Sequence, residues 1–492
     1  MRYDGSLDQG QEKGPDIEPS VVREQLGNGT AVTITHTRWW KDRGLRSLNM
    51  RLLAIFLTPL MIGYDGTLIG SLLSMPRWYR DLGLSPEDGS LVGLMGAGYA
   101  FGAMIAFPVF SWAADTFGRR LVIMLGDVIV LGAGSMLVAS SSPVLLTEIA
   151  HPRQRSLLVA GYGSLFFVGS IVVAWVSFDS LYTPTEWSWR IPTLLQIIPP
   201  ALQLPLTAMV PESPRWLVSQ NRHEEARNML VRFHANGRSD DGDEGVATEY
   251  AMIRRAIELD RRGTAGWLAW IRGPGNRRRL LLVVSCTVFG SWSGGSIINV
   301  YLSMALRKVG ITSPAQQTGI NGGLQVFNLC AALLGAGLAD RLGRRPLFLA
   351  SAVVMLLAMV GFTVATEQFV ERAQPASGVA LVVMVFLFQF GYDLGYAPLT
   401  PMYISEICAY HLRAKAMALH YFFMYAFSAV GLYANPVALQ ALSWRYYIVY
   451  VGILVFEVAF TYFMFPETKG YTLEEVSAIF DKGDSEFSRA HT

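Results

Sequence analysis

The feature that most constrains this chain is a series of apolar runs, each about as long as a bilayer is thick, separated by short arginine clusters. A helix needs about 20 residues to cross a hydrocarbon core of roughly 30 Å. Runs of that length fall at 50–73, 90–112, 121–142, 156–178, 191–210, 280–304, 317–339, 346–366, 378–400, 414–436 and 445–465. They predict eleven spans and an all-α membrane protein, because a chain in lipid must satisfy its backbone polar groups internally. Only 16% of residues are charged and 52% are hydrophobic, against about 25% charged in soluble domains. The net charge of +2 singles out no partner, and no nucleic-acid partner is expected.

The remaining segments read as tails and a linker. Residues 1–45 are polar at first, without the apolar core of a signal peptide, and are expected to form a disordered cytoplasmic tail. The sequon Asn28-Gly29-Thr30 would then go unused. Trp39-Trp40-Lys41 is expected to anchor this tail at the inner interface. Residues 211–279 form a polar linker, with apolar positions at helical spacing around Arg227–Phe233 and Met252–Leu259. Its Asp240-Asp241-Gly242-Asp243-Glu244 run lacks the other ligands of a calcium loop, so a solvated turn is expected. Cys286, Cys330 and Cys408 sit singly in or beside apolar runs, as buried bystander thiols would. No metal, cofactor or enzymatic site is expected, since no nucleophile–base pair, Walker loop or ligand cluster occurs.

A duplication organises the rest. Asp115-Thr116-Phe117-Gly118-Arg119-Arg120 recurs as Asp340-Arg341-Leu342-Gly343-Arg344-Arg345. Glu148 precedes Arg155 by seven residues, and Glu406 precedes Arg413 by seven. Pro211-Glu212-Ser213-Pro214-Arg215 closes the first half, and Pro466-Glu467-Thr468-Lys469 closes the second. Positive-inside topology accounts for the arginines alone. It leaves unexplained an acid at fixed spacing in each half. Ion pairs among helix ends are expected from these residues, facing helix termini and biasing a two-state equilibrium at the cytoplasmic side. Gating and stabilisation of the fold are both open as their role. Two bundles related by parallel repetition, 46–210 and 280–466, are the architecture of major facilitators, with 467–492 as a cytoplasmic tail.

The repeat also measures a shortfall. Asp340 and Glu406 lie 66 positions apart, whereas Asp115 and Glu148 lie 33 apart. One crossing from Leu121 would put Glu148 and Arg155 on the wrong side. An irregular hairpin, mis-paired halves or a missing coding segment would each account for this. The last is the favoured expectation, leaving eleven spans where twelve belong.

The chain resembles the sugar-porter family of the major facilitators, and among them the fungal lactose and hexose permeases. The resemblance covers roughly residues 50–480. It rests on Gly63-Tyr64-Asp65-Gly66, the two Gly-Arg-Arg loops, Pro211–Leu217, Trp292-Ser293-Gly294, Ile320–Asn328, Arg413-Ala414-Lys415 and Pro466–Glu475. It implies a central cavity working by alternating access, in which amides and hydroxyls meet sugar hydroxyls beside an aromatic face. At the family's binding positions stand Asn328 and Asp393, each with a plain interhelical-packing alternative. Tyr301 and Tyr396 fit either a cavity wall or an aromatic belt, and Trp292 belongs to the same set. Other positions depart from the pattern. Gly163, Gly290, Ser291 and Gly295 or Ser296 stand where the family carries amides, with Gln325 and Asn299 as possible substitutes. Asp65 matches the first-helix acid that takes up a proton in coupled relatives. Its basic partner comes from the fourth helix, in the stretch that is short here.

The expected function is therefore a plasma-membrane, multi-pass, monomeric secondary transporter for a mono- or disaccharide, with or without a co-transported proton. The alternative is a non-transporting sensor or degenerate paralogue, favoured by the sparse pocket and the shortfall. The 17 residues after Glu475 are short for a signalling tail.

Overall fold

The computed structural model describes residues 22–25, 31–34, 40 and 42–469, apart from 86–87, 130–132, 152–153, 236–243, 262–269, 272, 373, 375 and 409, and adds 476 and 480. In the N-terminal segment expected to be disordered, β1 (Val22–Gln25) pairs antiparallel with β2 (Ala31–Ile34). Trp40 is exposed. The rest of the Trp-Trp-Lys anchor and the acidic run at 240–243 lie outside the described residues.

All else is helical. The first half runs α1 (Arg43–Leu72), α2 (Pro76–Asp81), α3 (Gly89–Phe117), α4 (Arg119–Ile129), α5 (Ala133–Ile149), α6 (Arg155–Ser180), α7 (Trp187–Leu195) and α8 (Ile198–Thr207). The linker carries α9 (Pro214–Ser219), α10 (His223–His234) and α11 (Glu244–Arg261), where the apolar spacing places them. The second half runs α12 (Pro274–Trp292), α13 (Gly295–Asn299), α14 (Leu302–Lys308), α15 (Pro314–Leu342), α16 (Arg344–Arg372), α17 (Ala376–Leu394), α18 (Tyr396–Ile407), α19 (Tyr410–Leu442) and α20 (Tyr446–Met464). Starts follow capping chemistry. The Asp42 and Asp88 carboxylates accept from Leu45 N (3.0 Å) and Leu91 N (3.2 Å), opening α1 and α3. Among the described residues, seven helical segments are long and apolar enough to cross a membrane.

Several expected spans are built from more than one helix. The span at 191–210 breaks between α7 and α8, near Pro192, Pro199 and Pro200, since proline removes a ladder donor. The span at 280–304 breaks at Gly294, whose φ is 113°, and that at 378–400 breaks at Gly395.

The span expected at 121–142 is replaced by a helical hairpin. With 11 residues, α4 rises about 16 Å, half a bilayer. The chain then returns through α5, which packs on α4, α3 and α1. Two small residues allow this close return. A Cβ on Gly126 would lie 2.8 Å from Gly134 O, and one on Gly134 would lie 2.5 Å from Gly126 O. Val122, Ile123, Gly126 and Asp127 face inward, while Leu121, Leu125, Val128 and Ile129 face out, as a lipid-facing surface requires. The returning hairpin brings Glu148 back to the end where Arg119 lies, with Arg119 Nε 3.5 Å from Glu148 Oε2. The single crossing expected from Leu121 does not occur, and with it goes the topological conflict.

The halves meet along α3 with α19 and α6 with α15. Polar contacts between halves cluster at the end remote from the Gly-Arg-Arg turns. Gly89 N donates to Gln440 Oε1 (3.3 Å), Arg307 to Leu73 O (3.0 Å) and Asn321 to Ser71 Oγ (3.3 Å). Among the described residues no ion pair joins the halves. Cys286 and Cys408 are buried as expected, but Cys330 is exposed on α15.

Candidate functional site

Two constellations stand out, a polar ladder inside the second half and a pair of carboxylate clamps at the Gly-Arg-Arg turns. The ladder follows from spacing. Asn321, Gln325 and Asn328 occupy positions i, i+4 and i+7 of α15, hence one face. Gln325 Nε2 donates to Asn321 Oδ1 at 3.1 Å, and Asn321 carries the chain on to Ser71 of the first half. The Asn328 amide satisfies most partners with its nitrogen towards Asp393. It then donates to Asp393 Oδ2 (3.2 Å) and Leu324 O (3.0 Å), and accepts from Gln389 Nε2 at 3.2 Å. Gln389 Nε2 also lies 3.1 Å from Asn299 Oδ1. In that orientation Asn328 makes no hydrogen bond to Gln325, so the ladder consists of two hydrogen-bonded runs that meet on one face of α15, Ser71–Asn321–Gln325 and Asn299–Gln389–Asn328–Asp393, drawn from α1, α13, α15 and α17.

All of its second-half amides except Asn299 are at most 5% exposed, and Asp393 is 1% exposed. No basic side chain pairs with Asp393 among the described residues, and Gln389 Oε1 closes no hydrogen bond there. Convergent amides with a spare acceptor suit a polyhydroxylated solute, whose hydroxyls both donate and accept.

The structure thus brings Gln325, Asn328 and Asp393 together, and gives Asn299 the compensating place left open for it. Other candidates lie elsewhere. Trp292 Nε1 donates to Phe427 O (2.9 Å), and Tyr301 donates its hydroxyl to Leu432 O (2.5 Å) from an apolar cluster containing Tyr64 and Val92. Tyr396 packs its ring on Phe348 at 5.1 Å, in the second-half core rather than on the ladder. Asp65 is 9% exposed. Its carboxylate accepts from the Ser135 hydroxyl at 3.5 Å, and no basic group pairs with it among the described residues.

Three buried polar residues escaped the sequence reading. Asp127 lies on the inner side of α4 and Glu457 in the middle of α20, each with both carboxyl oxygens unpaired among the described residues. A lone acid within an apolar run was the available signal. Asn435, fully buried, accepts from Tyr446 (2.9 Å) and Tyr450 (2.5 Å).

The clamps explain the duplicated motifs. In the first half the Glu212 carboxylate accepts from Arg119 N (3.2 Å) and Arg120 N (3.2 Å), capping α4. In the second, Glu467 accepts from Arg344 N and Arg345 N, both at 3.0 Å, capping α16. The intervening glycines are required. Gly118 has φ 91° and Gly343 φ 97°, and a Cβ there would sit 2.6 Å from Glu212 Oε2 or 2.8 Å from Glu467 Oε2. Arginine side chains complete each clamp. Arg119 reaches Ala114 O (3.0 Å), Asp115 (3.6 Å) and Glu148. Arg344 reaches Ala339 O (3.2 Å) and pairs with Glu406 at 2.9 Å. Arg120 donates to Val210 O and Arg345 to Tyr462 O.

The linker motif is part of the first clamp. Ser213 caps α9 by accepting from Trp216 N (3.2 Å), and the Trp216 indole donates to Asp115 O at 3.0 Å. Arg215 lies on this helix. Burial pushes the Glu212 carboxyl above the usual carboxylate range, against the backbone N–H groups of Ser213 and Arg120 and the charges of Arg120 and Arg119. Arg155 opens α6 and donates to Ala150 O at 3.3 Å. The side chains of Asp340 and Arg413 lie outside the described residues. Each clamp stays within its own half, joining helix ends rather than bridging the halves.

A family model described as sugar (and other) transporter matches residues 50–142 and 129–480. The two pieces overlap at the hairpin, where the repeat is short. The chain is 27% identical to the sugar transporter STL1 of Saccharomyces cerevisiae over 93% of this chain and 85% of the relative. It is 27% identical to a probable quinate permease of Neosartorya fischeri over 86% and 85%. In shape it resembles the proton:xylose symporter XylE bound to 6-bromo-6-deoxy-D-glucose. The TM-score is 0.71 at 21% identity, covering 88% of this chain and 99% of that one.

Proposed function

The chain belongs to the sugar (and other) transporter family, and on that premise we propose that it carries a small polyhydroxylated ring, a sugar in the first instance, across a membrane by alternating access. The observation that supports this reading most is the ladder of Asn321, Gln325, Asn328, Gln389 and Asp393, an amide-rich line within a multi-pass helical bundle. A sugar competes for these groups, replacing amide–amide hydrogen bonds with amide–hydroxyl ones. Sites built this way reject solutes lacking the hydroxyl, because buried polar groups would be left unpaired.

Alternating access fits the distribution of contacts. Ladder and remote-end contacts tie the halves together at one end, while the clamps hold each half as a rigid unit at the other. The start of α1, the linker and both Gly-Arg-Arg turns share that clamp end, as Asn49 bonding Gln154 (3.0 Å) and Arg51 over Phe233 indicate. Their arginine content supports a cytoplasmic assignment for it, with both termini cytoplasmic, a plasma-membrane location and a monomer. The structure then corresponds to a state closed to the outside.

A co-transported proton is the second part of the proposal. No basic group pairs with Asp65 among the described residues, so a proton taken up there would be exchanged without an arginine to displace it. Asp393 is the ladder's own carboxyl and the better-placed coupling group. The test is uptake of labelled sugars by transporter-null cells expressing the chain, with and without a protonophore. Uptake above the empty vector supports transport, and collapse with protonophore supports coupling. No uptake across a sugar panel would instead support a sensor or degenerate paralogue.

A further inference from the structure

We propose that the junction between the linker helices and the α3–α4 turn is a binding site for an anionic phospholipid. A cavity of ≈ 690 Å³ opens there, lined from α1, the end of α3, α4, the segment between α8 and α9, α9 and α10. Its walls carry Arg51, Arg120, Arg222 and Arg232 against two acids, Glu212 and Glu225. Both acids are already engaged. Arg222 grips Glu225 through two hydrogen bonds of 2.7 and 2.6 Å. Glu212 accepts from the backbone N–H groups of Arg119, Arg120 and Ser213.

The unbalanced charge is concentrated on one ring. Arg51 of α1 and Arg232 of α10 both lie over Phe233, at 5.1 and 5.3 Å from its centroid. Neither makes an ion pair among the described residues. Stacking orients both guanidiniums and holds two like charges within 5.3 Å of one ring centroid. An anion between them would relieve that repulsion, and a guanidinium pair matches phosphate geometry.

The other half of the ligand is written in the apolar wall. Leu121 and Met124 of α4 and Met209 beyond α8 line the same cavity. Leu121 is 41% and Met209 61% exposed, and they continue the outward apolar face of Leu125 and Val128. A charged pocket that opens directly onto hydrocarbon-facing side chains fits a headgroup with attached acyl chains. A soluble phosphate compound would leave that wall uncovered. Attraction of basic clusters to anionic lipid amounts to roughly fivefold in affinity for each arginine. Bound there, the lipid would brace the linker against α1 and α4, alongside the Glu212 clamp.

The test uses the purified full chain. It is reconstituted in phosphatidylcholine alone or with phosphatidylserine, then re-extracted for native mass spectrometry of retained lipid and for thermal melting. Wild type should retain phosphatidylserine and melt higher in its presence. Arg51→Gln with Arg232→Gln should lower retention by roughly 25-fold, while the double lysine variant keeps most of it. Arg445→Gln, the same charge change on the turn before α20, should behave as wild type. Equal stabilisation by glycerophosphoserine, which has no acyl chains, would overturn the lipid assignment in favour of a soluble phosphate. Undiminished retention in the double glutamine variant would overturn the site altogether.

Discussion

Gly343→Ala tests the clamp account at its tightest point. At φ 97° an alanine pays for a left-handed backbone, and its Cβ would lie 2.8 Å from Glu467 Oε2. The backbone term is about 1–2 kcal/mol. The clash displaces a carboxylate that accepts from Arg344 N and Arg345 N at 3.0 Å each. Hydrogen bonds to a charged group are worth about 1.5–3 kcal/mol, but Glu467 is half-buried and part of this is screened. A total near 2–4 kcal/mol follows, or a drop of roughly 4–16 °C if the second half melts as a unit of that size class. The assay is thermal melting of purified protein in detergent, followed by size-exclusion fluorescence. Glu467→Gln should cost less, because it keeps the shape and loses only the charge. Gly452→Ala, on α20 with nothing within 4 Å of the new Cβ, should match wild type. A Gly343→Ala protein that melts with Gly452→Ala would refute the claim that these glycines exist to admit the carboxylates.

Asn328→Ala removes a buried amide that faces Asp393, Leu324 O and Gln389. Its expected cost is about 1–3 kcal/mol, so the half-saturating sugar concentration in uptake assays should rise roughly 5–150-fold. Asp127→Asn should raise the melting temperature and leave uptake intact, since both carboxyl oxygens are buried without a partner among the described residues; a lower melting temperature would assign Asp127 an unseen partner. The linker carries a pH-dependent tie. Burial alone would raise the Glu249 carboxyl, but the hydrogen bond from His234 (2.8 Å) and the charges of His234, His151 and Arg155 outweigh it and lower it below 4.5. A depressed carboxylate stabilises the fold above its unfolded value and loses that contribution as pH falls through the folded one. Protease sensitivity of α11 should therefore rise below about pH 4.5 in wild type, and Glu249→Gln should show that sensitivity at neutral pH.

Much of this architecture was legible because it is local. Apolar length marks a span whatever surrounds it, and the paired Gly-Arg-Arg and Pro-Glu motifs sit on single turns whose geometry is set within a few residues. The hairpin was not legible in the same way. The 121–142 run is apolar apart from Asp127 and a few serines, and only tertiary packing makes α5 fold back on α4 instead of continuing across. Gly126 and Gly134 were the visible hint, eight positions apart and small enough for their backbones to touch. The substrate candidates divide along the same line. Gln325 and Asn328 share a helix face with Asn321, so spacing alone places them together. Tyr396 and Trp292 depended on which face of a broken helix turns inward. The breaks at Gly395 and Gly294 decide that, and a hydropathy profile runs straight through them. Glu457 was missed although a lone acid inside a 19-residue apolar helix is visible in the sequence.

The ladder is proposed to carry a sugar through a bundle in which the α4–α5 hairpin takes the place of a crossing. Counterflow of labelled sugar into proteoliposomes loaded with unlabelled sugar measures this directly, without metabolism or a proton gradient. Wild type should show a transient overshoot for at least one sugar of a hexose, pentose and disaccharide panel, and Asn328→Ala should reduce it at the same concentration. A flat trace for every sugar from protein that melts cooperatively would contradict the account and leave a helical bundle that does not transport them.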